Sequence, residues 1–166
     1  MGESQELYVK EYEIPTIQAA FRQIHQDYNP MFLQCLVVKR ISDRAFLLKP
    51  DSQYVNPSQG VVISQDIVSE SGKYFLLFHT SCRNGSSVPT LYKILHNDTD
   101  LSYETFYNLT NILGFDYAIY QGAIKIPNVV QCAHKIAYLY GSNFDTKAND
   151  APHLEDSKLR LVPFYI

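Results

Sequence analysis

One segment, QGAIKIPNVVQCAHKIAYLYG from Gln121 to Gly141, constrains the fold more than any other part of the chain. It joins a basic strand end to a proline-started helix that carries a histidine. Pro127 suits a first helical position, because its missing N–H would be unpaired there and its φ is already helical. Gly141 then supplies an expected helix end. The segment therefore predicts a strand, a turn and a helix of about 14 residues.

The helix is amphipathic when it is drawn at 3.6 residues per turn. Its apolar side collects Val129, Ala133, Ile136, Ala137 and Tyr140. Its polar side collects Asn128, Gln131, Lys135 and Tyr138, with His134 at the edge. We expect the apolar side to be buried and the polar side to offer an amide, an ammonium and an imidazole. The helix N-terminus, with Lys125 just before it, predicts a phosphate site. The alternative for His134 is a solvated structural residue.

Composition narrows the class of protein. The 166 residues fit one domain, and 46% hydrophobic with 19% charged residues is ordinary for a globular protein. A net charge of −3 and a pI of about 5.9 count against nucleic-acid binding by bulk charge, so any RNA site must be local. Cys35, Cys82 and Cys132 have no metal-ligand spacing and predict free thiols. Without a signal region or a membrane-length apolar run, we expect a cytoplasmic or nuclear protein with no membrane partner.

Periodicity predicts mixed secondary structure. Apolar residues at helical spacing predict a helix over 15–27, beginning near Pro15. Residues 32–38 and 45–48 predict a strand pair, followed by a surface loop over 50–60. Further strands are predicted at 61–63, 74–78 and 91–95, and Ser102 is a candidate N-cap. The helix after it should carry Phe106, Leu109, Ile112 and Leu113 on one side. Residues 142–160 look loop-like, and the apolar end should dock back onto the body.

The same residues carry a family resemblance. Ile126, Pro127, Gln131, Ala133, His134, Lys135, Ala137 and Gly141 stand where Piwi proteins have V-P-x-x-x-Q-Y-A-H-K-x-A and a closing Gly. The chain resembles the C-terminal part of a PIWI domain, the RNase H-like module of the Argonaute/Piwi family, Piwi branch. Further likenesses run in the family's order: Tyr28-Asn29-Pro30 before a strand ending Val-Val-Lys-Arg, Gly60 to Ile63, Val88 to Tyr92, and Leu109-Thr110.

The resemblance implies a fold and a limit on catalysis. It implies an α/β fold, the C-terminal lobe of an RNase H-like PIWI domain with a mixed sheet and flanking helices over residues 1–166. The family's nuclease site is an Asp, Glu, Asp and His tetrad holding two metal ions. His134 matches the last member, while the acids, like the MID and PAZ domains, would lie upstream. We expect Mg²⁺ to bind only in a complete domain, and this chain alone not to cut RNA.

The resemblance also implies guide contacts. It places Lys125, Gln131 and Lys135 against backbone phosphates, with Lys39, Arg40 and Arg44 as further candidates. The carboxylate of Ile166 would help a metal ion to hold the guide 5′ phosphate. Such contacts position RNA without reading its sequence. The alternatives are a solvated turn for the basic cluster and an ordinary exposed helix face for Gln131 and Lys135.

Two functions follow from these observations. The first is guide-RNA (piRNA) binding in RNA-mediated gene silencing, with guide RNA, target RNA and the rest of the PIWI/MID module as partners. The second is an RNA-free, non-catalytic protein-interaction module, a truncated relative with protein partners; a fragment and a split protein are also open. An incomplete domain would expose a sheet edge and part of its core, so we expect poor solubility or a tight partner.

Overall fold

The structure is a computed structural model that describes residues 3–68, 72–82 and 84–143. Its helices are α1 (Glu3–Tyr8), a π-helical turn (Val9–Glu13), α2 (Ile14–Ile24), α3 (Tyr103–Ile112) and α4 (Asn128–Asn143). Its strands are β1 (Leu33–Val38), β2 (Leu47–Leu48), β3 (Tyr54–Val55), β4 (Val62–Ile63), β5 (Tyr74–Leu77) and β6 (Thr90–Asn97). The expected loop over 142–160, the docking terminus and Ile166 lie largely or wholly outside the described residues. None of the described helices is long and apolar enough to cross a membrane.

Four strands form an antiparallel sheet in the order β1-β6-β5-β4, and β2 pairs with β3 in a separate hairpin. Val38 at the end of β1 lies opposite Leu91, near the start of β6. Thr90 lies opposite Leu77, at the end of β5. The carboxyl ends of β1 and β5 and the amino end of β6 therefore meet at one end of the sheet.

The core lies between this sheet and α3. Phe75, Leu77, Tyr92 and Ile94 alternate along β5 and β6 and are at most 4% exposed. The rings of Phe75 and Tyr92 stack with centroids 4.8 Å apart, and Phe106 of α3 meets Phe75 edge-on at 6.1 Å. Burying each such side chain stabilises the fold by about 1.5–3 kcal/mol. The Tyr107 hydroxyl also donates to the carbonyl of Gly72, which ties α3 to the residues just before β5.

The other face of the sheet is covered by the N-terminal helical stretch. Val9 and Ile14 are each 7% exposed. The Glu6 carboxylate accepts hydrogen bonds from the Tyr74 hydroxyl and, at 2.8 Å, from Lys93 Nζ. These bonds, with that from Lys10, outweigh the opposing effect of burial and lower the pKa of Glu6 to about 2. A charged network thus fastens α1 to β5 and β6.

The helix predicted over 15–27 is real, but its bounds are wrong. Helical structure is continuous from Glu3 to Ile24, so Pro15 lies inside it. A proline in a helix interior removes one hydrogen bond and crowds the carbonyl four residues before it. The π-helical turn directly before Pro15 widens the backbone there, with the Ile14 N–H donating to the Val9 carbonyl. The distortion accommodates the proline, which therefore does not mark a helix start.

The predicted strands are confirmed within a few residues, but one predicted pairing is wrong. The predicted runs 32–38 and 45–48 form β1 and β2, but these two strands do not pair with each other. β1 pairs with β6, and β2 pairs with β3, which lies inside the predicted 50–60 loop. Ser52 adopts a φ of +63° at the turn of that hairpin. The two runs lie close together in the chain, which favours pairing between them. The structure instead pairs β1 with the longer strand β6, where more cross-strand side-chain pairs form.

The two C-terminal helices differ from prediction at their faces. Ser102 is the N-cap of α3, since its Oγ accepts from the Thr105 N–H at 3.1 Å. Of the four apolar residues expected on one side of α3, Leu109 and Ile112 are 43% and 62% exposed, because α3 turns Phe106, Tyr107 and Thr110 towards the sheet. Helix α4 also continues through Gly141 to Asn143, so this glycine does not end it.

Candidate nucleic-acid interface

Helix α4 is anchored at its start by the connection that precedes it. The Asn128 side chain donates to the carbonyl and the carboxylate of Asp116, at 2.7 and 2.9 Å. The amides of the first turn also have acceptors within the chain. Asn128 N donates to Leu113 O, Val129 N to Asn128 Oδ1, and Val130 N and Gln131 N to Pro127 O.

This arrangement argues against the predicted phosphate site at the start of α4. Its first amides are already bonded, whereas such a site needs free donors. The Asp116 carboxylate also lies at the positive end of the helix dipole and would repel a second anion. A phosphate contact made by α4 itself must therefore come from its side chains rather than from its N-terminal amides.

The faces of α4 differ from prediction at several positions. Val129 is 58% exposed, and Ala133 and Ala137 are exposed as well, while the predicted polar positions Gln131 and Lys135 are half-buried. Ile136 is half-buried and Tyr138 is 74% exposed, both as expected, and the Tyr140 side chain lies outside the described residues. The connection before α4 contacts part of the polar flank, because the Tyr117 ring lies under Lys135 and Asp116 accepts from Asn128.

Lys135 and Tyr117 form the most distinctive contact on that flank. Lys135 Nζ lies 5.3 Å from the centroid of the Tyr117 ring, within the range of a cation–π interaction. Tyr117 is 8% exposed, and its buried hydroxyl has no hydrogen-bond partner among the described residues. Gln131 precedes Lys135 by one helical turn on the same side. An ammonium, an unpaired hydroxyl and an amide thus share one flank of α4.

Lys125 is held at the end of the sheet where β6 begins. Its backbone carbonyl accepts from Thr90 Oγ1 at 2.7 Å, while its side chain is exposed. Thr90 is next to Leu91, which lies opposite Val38, and Lys39 and Arg40 directly follow Val38. The strand register therefore brings Lys125, Lys39 and Arg40 to the same end of the sheet, all with exposed side chains.

Arg44 differs from Lys39, Arg40 and Lys125 in that its side chain donates hydrogen bonds within its own loop. Its Nη1 donates to the carbonyls of Ile41 and Asp43, at 3.1 and 2.7 Å, inside its own loop. It also lines a cavity of about 360 Å³ whose floor includes Leu76 and Leu91. Part of its hydrogen-bonding capacity thus serves to fix the loop between β1 and β2.

His134 is exposed on α4, outside the flank that holds Lys135. Within residues 3–68, 72–82 and 84–143, no group of three His, Cys, Asp or Glu side chains could hold a metal ion. The described residues therefore do not fit a two-metal site, since one imidazole cannot compete with water for two divalent ions. The predicted metal role of Ile166 falls outside the described residues.

A buried histidine underlies the connection to α4. His79 is 2% exposed, its Nε2 lies 2.5 Å from the Tyr92 hydroxyl, and burial lowers its pKa to about 4. Burial also raises the pKa of Tyr92. The His79 ring packs against Gly114, where a Cβ would come within 2.6 Å of Nδ1. A neutral ring thus supports the backbone that leads to Tyr117.

Tyr117 and Asp116 were missed by sequence reasoning. The stretch GFDYAIYQG has no helical or strand period, and its three aromatic residues gave no sign of which ring would be buried. A usable signal was the length of the connection between α3 and α4, which must pack somewhere on the helix that follows it.

Comparison with known proteins identifies the family. The sequence profile of the Piwi domain family matches residues 1–145. Piwi-like protein 1 of Danio rerio is 31% identical over 141 residues, covering 85% of this chain and 16% of that protein. Piwi-like protein Ago3 of Bombyx mori is 29% identical over 150 residues, covering 90% and 16%. The chain thus spans about a sixth of the length of these relatives.

Solved structures agree with the fold. Drosophila Piwi superposes with a TM-score of 0.68 at 25% identity, covering 84% of this chain and 19% of that one. The C-terminal lobe of a budding yeast Argonaute gives a TM-score of 0.70 at 18% identity, covering 83% and 30%. Kluyveromyces polysporus Argonaute, solved with a guide RNA, gives 0.70 at 18%, covering 83% and 18%. The predicted α/β fold of a C-terminal PIWI lobe is confirmed, although the strand pairs that the structure describes are all antiparallel rather than mixed. The chain belongs to the Piwi domain family.

Proposed function

We propose that residues 1–166 form the C-terminal part of a Piwi-type PIWI domain and hold the backbone of a small guide RNA in RNA-mediated gene silencing. Family membership supports the class, and the Kluyveromyces relative was solved with a guide RNA bound. The observation that carries the proposal is the Lys135 ammonium, which is held over the buried ring of Tyr117 on the flank of α4. A cation that is already held in place loses less freedom when it binds a phosphate.

The proposed contacts divide into two groups. Lys135 and Gln131 bind one phosphate along the flank of α4, and the Tyr117 ring holds the Lys135 ammonium in place. Lys125, with Lys39 and Arg40, binds neighbouring phosphates at the end of the sheet, because an ammonium acts as a point charge on a phosphate. This local cluster of cations attracts RNA although the net charge of the chain is −3. Contacts of this kind hold a guide without selecting its sequence.

Catalysis and metal binding belong to a larger assembly in this proposal. His134 would contribute to an Mg²⁺ site only where further acids are supplied by the remaining part of the PIWI/MID module. The carboxylate of Ile166 would serve the 5′ phosphate in the same context. We propose cytoplasm or nucleus as the place of action, where guide and target RNA are available.

The alternative function is that of an RNA-free protein-interaction module. The exposed apolar flank of α4, with Val129, Ala133 and Ala137, favours it, because an apolar helix flank commonly meets another protein. The flank equally suits the remaining part of a PIWI domain. Affinity capture of the tagged chain separates the two functions: small RNA in the eluate supports guide binding, and protein without RNA supports the alternative.

Fluorescence anisotropy with a 5′-phosphorylated single-stranded RNA tests the proposed contacts. We expect the Lys125→Glu plus Lys135→Glu variant to bind at least tenfold more weakly than the unmodified chain. Its salt dependence should also fall, by about 1.4 in the slope of log K against log salt, since each lost phosphate contact removes about 0.7 for a single strand.

A matched control is the Arg22→Glu plus Lys49→Glu variant. It makes the same change in net charge at two exposed residues, on α2 and in the β2–β3 hairpin. Equal weakening by both variants would mean that only bulk charge matters. Unchanged affinity in the first variant, with an unchanged circular dichroism spectrum, would refute the proposed contacts.

A further inference from the structure

The N-terminal helical stretch has a second face, which is exposed in the part of the chain that the structure describes. Glu6, Val9 and Ile14 turn towards the sheet. On the side facing solvent, Tyr8 and Tyr12 are 55% and 60% exposed. Their rings stack, with centroids 5.2 Å apart and 26° between the planes. Two large aromatic rings are thus held together in water, one helical turn apart.

The π-helical turn shapes this surface. The Ile14 N–H reaches back five residues to the Val9 carbonyl, and Thr16 Oγ1 donates to the Tyr12 carbonyl at 2.6 Å. A single π turn inside an α-helix is frequently found at functional sites. Here the widened turn spreads the side chains around it, which enclose a shallow hollow of about 330 Å³. The hollow is lined by Tyr8, Tyr12, Glu13, Thr16 and Ile17.

The charge around the hollow is acidic. Glu13 lines it and Glu11 is exposed close by in the same turn. The nearby Lys10 forms an ion pair with Glu6 at 3.0 Å, which draws its ammonium towards the sheet side of the helix. Carboxylates beside open aromatic rings attract a cation and repel the phosphates of a nucleic acid.

We propose that this hollow binds an arginine side chain of a partner polypeptide. A planar guanidinium can lie flat on a tyrosine ring and also donate two parallel hydrogen bonds to the Glu13 carboxylate. Lysine has neither property, because its ammonium is compact and more strongly hydrated. The hollow lies on the side of the N-terminal helical stretch that faces away from the sheet. The proposal therefore does not depend on RNA binding by α4.

Binding of a fluorescein-labelled peptide of alternating arginine and glycine, measured by anisotropy on the whole chain, tests the proposal. We expect saturable binding that exceeds that of the same peptide with lysine in place of arginine. Tyr12→Ala should weaken it roughly fivefold or more, which is the size of a partly exposed cation–π contact. Glu13→Gln should weaken it by roughly the same factor, because it removes the charge from the acceptor of the two hydrogen bonds. Tyr12→Phe keeps the ring and should retain most of the affinity.

Tyr54→Ala is the matched control, since Tyr54 in β3 is 72% exposed and lies outside the hollow. It should leave peptide binding unchanged. Lack of binding by the arginine peptide, equal binding of the lysine peptide, or full affinity in Tyr12→Ala would each overturn the proposal. Loss of affinity for single-stranded RNA in Tyr12→Ala, with peptide binding intact, would assign the surface to nucleic acid instead. Tyr12 is exposed, so its variants should remain folded.

Discussion

Replacing Gly114 by alanine adds only one methyl group, but it should destabilise the chain because the space around this glycine is filled. The new Cβ would lie 2.6 Å from His79 Nδ1 and 3.1 Å from the Asn111 carbonyl oxygen. His79 cannot easily move, because it is 2% exposed and is bonded to Tyr92, which is 1% exposed and stacks on Phe75. Forcing an extra carbon into a packed core costs about 1–3 kcal/mol, and we expect the upper end here.

Thermal unfolding followed by circular dichroism measures the effect. For a chain of this size, 1 kcal/mol corresponds to about 2–4 °C, so Tm should fall by roughly 6–12 °C. Gly141→Ala is the control: it lies inside α4, where an added Cβ would meet no described side chain within 4 Å, and alanine there should stabilise by about 0.5–1 kcal/mol. The loss should shrink by about 1 kcal/mol or more in a His79→Ala background. A Gly114→Ala protein within 0.5 kcal/mol of the unmodified chain would refute the reasoning.

Three further predictions concern stability. The contribution of His79 to the free energy of unfolding should be complete above a pH of about 6.5 and should fall by roughly 3 kcal/mol towards pH 4. The reason is that buried His79 has a pKa of about 4, whereas a histidine in the unfolded chain binds its proton at about 6.5. The His79→Gln variant, measured by urea unfolding, should show a smaller change in the free energy of unfolding over that pH range. Glu6→Gln should cost about 1–2 kcal/mol at pH 7 by leaving Lys93 without its carboxylate, and should remove the additional loss expected as pH falls from about 4.5 towards 2. Val129→Asn should change the unfolding free energy by less than about 0.5 kcal/mol, whereas Ile136→Asn should cost more than about 1 kcal/mol; equal costs would restore the face of α4 that the sequence predicted.

Local signals predicted the elements of this fold well. The runs at β1, β5 and β6 are rich in β-branched and aromatic residues, and each is a strand. Ser102 caps α3 as its position before a helical pattern indicated. These features depend on a few adjacent residues, so they could be predicted from a single sequence.

The strand pairing and the exposed face of α4 were not predicted, because they depend on contacts between residues that are far apart in the sequence. β1 joins β6, more than fifty residues away, although a neighbouring run was available. Part of the apolar flank of α4 is exposed, whereas on the other flank Lys135 contacts the Tyr117 ring of the preceding connection. A helical wheel ranks side chains by polarity, but it contains no information about which flank a connecting segment will occupy.

The candidate site was predicted in part. Lys125, Gln131 and Lys135 were named from the motif, and the structure places the last two on one half-buried flank. Tyr117 could not be named, because its importance comes from a contact with Lys135 across eighteen residues. The register of β1 and β6 then brings Lys39 and Arg40 to the end of the sheet that holds Lys125, which no local pattern could show.

The Lys135→Gln variant tests the central claim most directly, because it removes one positive charge from the flank of α4 and keeps a polar side chain there. The cation–π contact with Tyr117 is lost with the charge, so the free energy of unfolding should fall by no more than about 1 kcal/mol. If the Lys135 ammonium binds a guide phosphate, affinity for 5′-phosphorylated RNA measured by anisotropy should fall about tenfold in the same protein. Unchanged RNA affinity in a stably folded Lys135→Gln chain would contradict the proposed interface.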